Sequence, residues 1–249
     1  GGGWGDSYVA HETEVYKIPA GLTDDQAVLT EPASVALRAV LRARPGPGQR
    51  VLVIGCGIIG LLTVRLTRIV EPQAHITAMA RYPHQVDMAR RLGADDVLAG
   101  GDQFAEVARL TGGQLHTGAL GNQMLLGGYD VIYDIVGSGR TIKDGLRWAR
   151  AGATVVVVGI SPKLVKTDLS PIWHQEVTLT GTVVHGIEQW QGQPVHGYDL
   201  VMRWMREGIL LTDGLITHRF PLADYKEAVA TATDKRTGAI KVLFQMQPG

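Results

Sequence analysis

Val51-Leu52-Val53-Ile54-Gly55-Cys56-Gly57-Ile58-Ile59-Gly60 is the stretch that decides the fold of this chain. Four consecutive apolar residues mark a strand buried on both faces. The Gly-x-Gly-x-x-Gly that follows runs directly into an apolar segment that predicts a helix through Ile69. Strand, glycine turn and helix in that order form a phosphate cradle. Gly55 permits the tight turn, Gly57 leaves the backbone open to a pyrophosphate, and Gly60 lets the helix pack closely on the strand. The helix N-terminus adds unpaired N–H groups and the positive end of a dipole. Gly55, Gly57, Ile58, Ile59 and Gly60 are therefore the candidate cofactor-binding loop. The bare motif is weak; its flanking strand and helix, and a second strand at the right distance, distinguish it from a structural glycine turn.

Working outward, strands are expected at 51–54, 76–79, 96–98, 129–135, 153–158 and 177–184. Helices are expected at 60–69, 83–92, 104–110 and 141–150. Continuous apolar strands separated by helices predict an α/β fold, a Rossmann-type doubly wound parallel sheet covered on both faces. Before it, residues 7–19 alternate loosely in polarity (Tyr8, Val9, Val15, Tyr16, Ile18) and read as one or two short strands. Helical segments follow at 24–29 and from Pro32, the latter ended by Pro45-Gly46-Pro47-Gly48. Segment 112–128, with Met124-Leu125-Leu126, breaks the alternation and reads as a functional loop or an interface. Beyond the sheet, helices are expected at 198–207 and 224–232, and strands at 216–222 and 239–245.

The end of the second strand speaks to the cofactor. A free ribose 2′-hydroxyl usually meets an Asp or Glu about 20 residues past the glycines. That place here reads Met79-Ala80-Arg81-Tyr82, with no acid and one base. Ala80 followed by Arg81 suits a 2′-phosphate, so NADP is expected, with NAD the alternative. Arg81 as a solvated surface residue is the competing reading.

Composition narrows the function further. Hydrophobic residues make up 45%, enough for a sizeable core. Lys plus Arg (24) equals Asp plus Glu (24), so charge gives no argument for nucleic acid or a membrane surface. No apolar run approaches the roughly 20 residues of a membrane span. The single Cys56 cannot form an internal disulfide and fits a reducing compartment. The opening Gly1-Gly2-Gly3-Trp4-Gly5 has neither the basic flank nor the apolar stretch of a signal peptide. It also lacks an initiator methionine, so a piece of a longer cytoplasmic protein is expected. None of the eight histidines pair at metal-ligand spacing. His174, His185 and His218 are read as structural or surface residues, and Trp148, Trp173 and Trp204 as core or interface aromatics.

Four further phrases join the glycine loop. Thr30-Glu31-Pro32-Ala33-Ser34-Val35-Ala36-Leu37 and Ala89-Arg90-Arg91-Leu92-Gly93-Ala94-Asp95 flank it. Tyr129-Asp130-Val131-Ile132-Tyr133-Asp134-Ile135-Val136-Gly137 and Ile216-Thr217-His218-Arg219-Phe220-Pro221-Leu222 follow. In this order and spacing the chain resembles the medium-chain dehydrogenase/reductase family, closest to its zinc-dependent alcohol, sorbitol and threonine dehydrogenase branch. The resemblance implies remnants of a GroES-like, β-rich catalytic domain at 1–32 and 213–249, with the Rossmann domain at 33–212. It implies hydride transfer between nicotinamide and an alcohol or carbonyl substrate, and a homodimer or homotetramer paired through 177–184.

Residue by residue, the resemblance implies that Glu31 sits beside the catalytic zinc as a catalytic residue or ligand. Val136 and Gly137 would lie against the adenosine ribose and nicotinamide side. Gly159 with Ile160, and Gly181 with Thr182, would meet the nicotinamide end, and Lys241 the pyrophosphate. Each has a plain alternative: a helix-start acid favoured by the dipole for Glu31, turn glycines, and a solvated strand lysine. The family's Cys and His-Glu zinc ligands, and its Cys-rich lobe, have no counterparts in this sequence. Zinc is accordingly expected only in a full-length form, and the chain alone is expected to be inactive. Two other functions remain open: a zinc-independent quinone or enone reductase, and a non-catalytic dinucleotide-binding module.

Overall fold

The computed structural model describes residues 4–5, 7, 9–118 and 121–246. Contacts divide the chain into two compact units: Glu31–Gly197, and Gly1–Thr30 together with Tyr198–Gly249.

The larger unit follows α1 (Asp24–Ala27) and carries α2 (Thr30–Arg42), β1 (Arg50–Ile54), α3 (Ile58–Val70), β2 (His75–Met79), α4 (Pro83–Arg91), β3 (Asp96–Leu98) and α5 (Gln103–Thr111). Next come the hairpin β4 (Gln114–Thr117) and β5 (Gln123–Leu126), then β6 (Tyr129–Asp134), α6 (Gly139–Trp148), β7 (Ala149–Val157), α7 (Ser170–His174) and β8 (Thr178–Gly181). A second hairpin, β9 (Ile187–Trp190) and β10 (Gln193–His196), closes the unit. Six strands form one parallel sheet in the order β3-β2-β1-β6-β7-β8. Counting only its own strands, that is 3-2-1-4-5-6, the doubly wound Rossmann order, with its switch point between β1 and β6.

Local chemistry sets the helix starts. Ser138 Oγ accepts from Thr141 N–H at 3.1 Å to begin α6, and Asp102 Oδ1 accepts from Phe104 and Ala105 N–H to begin α5. Pro83 opens α4, where its missing N–H costs nothing. One sheet face packs Leu52, Ile54, Ile132 and Val155 against Val107, Leu146 and Trp148 of α5 and α6. Strand alternation turns Val51 and Val53 to the opposite face, and both are fully buried. The buried Tyr133 hydroxyl donates to the Ala43 carbonyl at 2.8 Å, tying β6 to the end of α2.

The smaller unit holds α8 (Gly197–Arg206) from Tyr198 onward, α9 (Tyr225–Thr233), and β11 (Ile216–Phe220) paired parallel with β12 (Lys241–Phe244). Within it Arg219 donates to Asp25 at 2.5 Å, and Trp4 meets Phe244 edge-on.

Several expectations need correction. No strand forms at 7–19 among the described residues; Glu12–Glu14 is a 3₁₀ turn capped by His11, and Tyr8 lies outside the described residues. Polarity alternation supplies no partner strand, and Val9 and Val15 stay exposed. The strand expected at 177–184 ends at Gly181, after which Val184 takes φ 53°. Ala149 and Arg150, expected in a helix, begin β7. Segment 112–128 is the β4–β5 hairpin, with 119–120 outside the described residues. Its Leu125 is fully buried in the core, and its outer carbonyls are taken: Arg147 donates to Gln123 O and Gln175 to Leu125 O. Trp148 and Trp204 are buried, whereas Trp173 is 77% exposed. No helix among the described residues is long and apolar enough to cross a membrane.

Arg147 also donates to Asp168 at 2.6 Å, and Asp168 accepts from the Ser170 hydroxyl and N–H. Those Ser170 bonds first, then Arg147, hold the Asp168 carboxyl at a pKa of about 2. A depressed folded-state pKa contributes stability above the unfolded value, and that stability is lost as pH falls toward 2. We expect Asp168→Asn to lower the urea midpoint at pH 7, and the gap to wild type to shrink between pH 5 and pH 2. An equal gap at both ends of that window would refute the assignment.

Candidate dinucleotide site

Ile54, Asp134 and Val157 pair across neighbouring strands, so β1, β6 and β7 end level with one another. The turns leaving them lie side by side. Gly55 takes φ 97°, and its N–H donates to Met79 O at 3.1 Å. The buried Cys56 thiol donates to the same carbonyl at 3.4 Å, and burial pushes its pKa up to about 12. This thiol is therefore a tie between the loop and β2, not a nucleophile.

Gly57 and Gly60 have opposite surroundings. A Cβ on Gly60 would lie 1.7 Å from Gly55 O, so helix α3 approaches the loop closer than any side chain permits. A Cβ on Gly57 would meet nothing within 4 Å. Gly57 is the N-cap of α3 with no side-chain cap, and the first intrahelical bond runs from Leu61 N–H to Gly57 O. The N–H groups of Ile58, Ile59 and Gly60 precede that bond and face the same open end of the helix dipole.

The Val136–Gly137 and Gly159 turns are packed back to back. A Cβ on Gly137, at φ 68°, would lie 2.2 Å from Gly159 O, and one on Gly159 would lie 2.2 Å from Val136 C. Val136 in turn leans on the glycine loop, its Cγ2 only 2.7 Å from where a Gly55 Cβ would stand. Gly55, Val136, Gly137 and Gly159 thus form one surface, and Ile160 beyond them is 90% exposed. Sequence reasoning overlooked Asp134, which organises these turns. Its side chain accepts from Val136 N–H and Gly137 N–H, both at 3.0 Å, and from the Thr141 hydroxyl at 2.9 Å. Burial raises its pKa, opposed by those three bonds. An acid closing an apolar strand just before Val-Gly was the available signal.

The remaining candidates are more dispersed. Ala80 is buried, its N–H donating to Leu98 O, while the exposed Arg81 lies over the Tyr82 ring at 5.8 Å. Gly181 and Thr182 end β8, where Thr182 N–H donates to Val157 O. The Thr182 hydroxyl is buried without a hydrogen-bond partner among the described residues. A cavity of about 610 Å³ lies here at the sheet edge, lined by Thr182, Arg38, Arg42 and Glu188 among others. Lys241 lies on β12 in the smaller unit, half-buried. Glu31 is exposed in the first turn of α2, within electrostatic range of His185, an interaction the sequence did not disclose. His185 packs edge-on against His196 with centroids 5.3 Å apart. Burial and then His196 lower its pKa, with Glu31 opposing. Glu188, on β9 of the adjoining hairpin, pairs with Arg38 of α2 at 2.7 Å. Among the described residues no three His, Cys, Asp or Glu side chains converge to hold a metal ion, so the residues described here do not fit a zinc site.

A doubly wound sheet with a Gly-x-Gly-x-x-Gly turn at its switch point defines a Rossmann-type protein. More specifically, the zinc-binding dehydrogenase family model matches residues 59–194, over half of the chain, and the chain belongs to that family. It is 28% identical to D-arabinitol dehydrogenase 1 of Uromyces fabae over 92% of this chain and 60% of that protein. It is 29% identical to L-idonate 5-dehydrogenase of Vitis vinifera over 96% of this chain and 61% of that protein. The crystal structure of 2R,3R-butanediol dehydrogenase from Bacillus subtilis superposes with a TM-score of 0.73 at 26% identity, covering 94% of this chain and 60% of that one. The chain thus spans about 60% of the length of the relatives it matches.

Proposed function

We propose that this chain is the cofactor-holding part of an NADP-preferring oxidoreductase that moves a hydride between nicotinamide and an alcohol or carbonyl substrate. The observation that carries the reading is the contrast within the glycine loop. Gly60 is locked against Gly55 O, while nothing stands within 4 Å of a Cβ on Gly57, the N-cap of α3, whose first intrahelical donor is Leu61 N–H. The arabinitol, idonate and butanediol dehydrogenases among its relatives support the substrate class.

In this reading the Ile58, Ile59 and Gly60 N–H groups hold the pyrophosphate. Gly57 allows its approach, and Arg81 takes the 2′-phosphate. Val136, Gly137, Gly159 and Ile160 wall the nicotinamide half, and Thr182 offers its hydroxyl at the next strand end. The bound nicotinamide supplies the hydride donor or acceptor. The chain's own work is orientation and exclusion of water. Glu31 would serve the reaction centre in the whole protein.

Calorimetric titration with NADPH and NADH tests the reading. NADPH should bind more tightly, and Arg81→Ala should erase the preference. The variant should lose NADPH affinity by about 10- to 100-fold, as expected for one charge-assisted contact, with NADH affinity little changed. Binding of neither dinucleotide would sink the proposal; an undiminished preference in the variant would remove Arg81 from it.

A further inference from the structure

Asp134 is fully buried at the end of β6, the strand bordering the switch point. Three donors reach its carboxylate: the Val136 and Gly137 N–H groups and the Thr141 hydroxyl. Its main-chain carbonyl accepts two more bonds, from Val158 N–H at 2.9 Å and Gly159 N–H at 3.1 Å. One residue therefore gathers both turns that leave β6 and β7. Those turns touch each other through Gly137 and Gly159, and the first touches the glycine loop through Val136 and Gly55.

A buried carboxylate is a costly way to finish an apolar strand, because desolvation of a charge is repaid only by a full set of donors. A Val there would avoid that cost but would leave Val136 and Gly137 N–H without this acceptor. Those two N–H groups point back at the strand end because the chain reverses sharply at Gly137, whose φ is 68°. The carboxylate is thus matched to the turn it closes. Displacing the turn would carry Val136 away from Gly55 and reshape the crevice wall.

We propose that Asp134 is a positioning residue for the dinucleotide: it fixes the 136–137 and 158–159 turns as one rigid wall beside the phosphate loop. This rests on the dinucleotide reading above and goes beyond it by assigning the residue that pre-shapes the nicotinamide half of the crevice.

The experiment combines affinity for NADPH, thermal melting, and hydrogen exchange at the Val136 and Gly137 amides. Asp134→Ala should weaken NADPH binding about 30-fold, the equivalent of roughly two hydrogen bonds, and speed exchange at both amides. Asp134→Asn keeps an acceptor for both N–H groups and can donate to Thr141, so it should restore affinity to within about threefold and restore protection. Thr111→Val removes a buried hydroxyl bonded to Val107 O at the far end of α5, and should lower the melting temperature without changing affinity. A merely structural Asp134 would behave like Thr111. If Asp134→Ala does not fold, Thr141→Val decides: a loss of about fivefold is expected, and unchanged affinity overturns the inference. Wild-type protein that binds neither NADPH nor NADH sinks the dinucleotide reading and this assignment with it. Wild-type binding with normal affinity in Asp134→Ala overturns this assignment alone.

Discussion

Gly60→Ala is expected to weaken dinucleotide binding about 100-fold and to destabilise the fold by about 3 kcal/mol, the upper part of the usual range for overpacking. The added methyl would sit 1.7 Å from Gly55 O, a backbone atom in a tight turn that cannot rotate aside. Relief requires α3 to lift from β1, and a displacement of about 1 Å at a ligand-orienting element costs on the order of 100-fold. Gly57→Ala provides the contrast. Gly57 has an ordinary φ of −76° and open space where its Cβ would go, so its melting temperature should stay within a degree or two of wild type. The same methyl would occupy the pyrophosphate's place, and affinity should fall at least about tenfold. Calorimetry and thermal melting on the two variants separate a glycine that packs from a glycine that admits a ligand. Undiminished binding by Gly57→Ala would show that the open face is not where the phosphates lie.

The sheet was legible because its strands are apolar on both faces. Runs such as 51–54 and 153–158 admit few other readings, and the glycine loop fixed which strand came first. Short hairpins were not legible. The turn joining β9 to β10 is Gln191-Gly192, with φ 51° and 78°. Positive φ at both central residues is the hairpin geometry that Asn-Gly or Asp-Gly would have announced; Gln at the first place gives no such signal. The β4–β5 hairpin was hidden for another reason, since only Leu125 of its second strand reaches the core. The converse error at 7–19 arose because alternation without a partner strand carries no ladder. At the site, the glycines were readable as turn residues. Which turns they hold together was not, because Gly137 and Gly159 meet across two strands and Asp134 acts through N–H groups that only the folded turn presents.

That cross-strand meeting makes Gly137→Ala the other severe substitution, expected to cost about 2 to 5 kcal/mol. Two penalties add. An L side chain at φ 68° pays about 1 to 2 kcal/mol for the left-handed backbone. The methyl would also stand 2.2 Å from Gly159 O, adding about 1 to 3 kcal/mol of overpacking. Two companions separate the terms. Gly152, at φ 74° with nothing within 4 Å of its would-be Cβ, should show the backbone penalty alone on changing to Ala. Gly159 lies outside the left-handed region, so Gly159→Ala should show the contact term alone, its methyl 2.2 Å from Val136 C. Urea unfolding should therefore rank Gly137→Ala as the most destabilised, with Gly152→Ala and Gly159→Ala each milder. Dinucleotide affinity should fall for 137 and 159 and stay unchanged for 152, which lies in the first half of β7, toward the end of the strand opposite the crevice. Equal midpoints for 137 and 152 would mean that the two turns can part freely, and the wall they form would then be too soft to orient a cofactor.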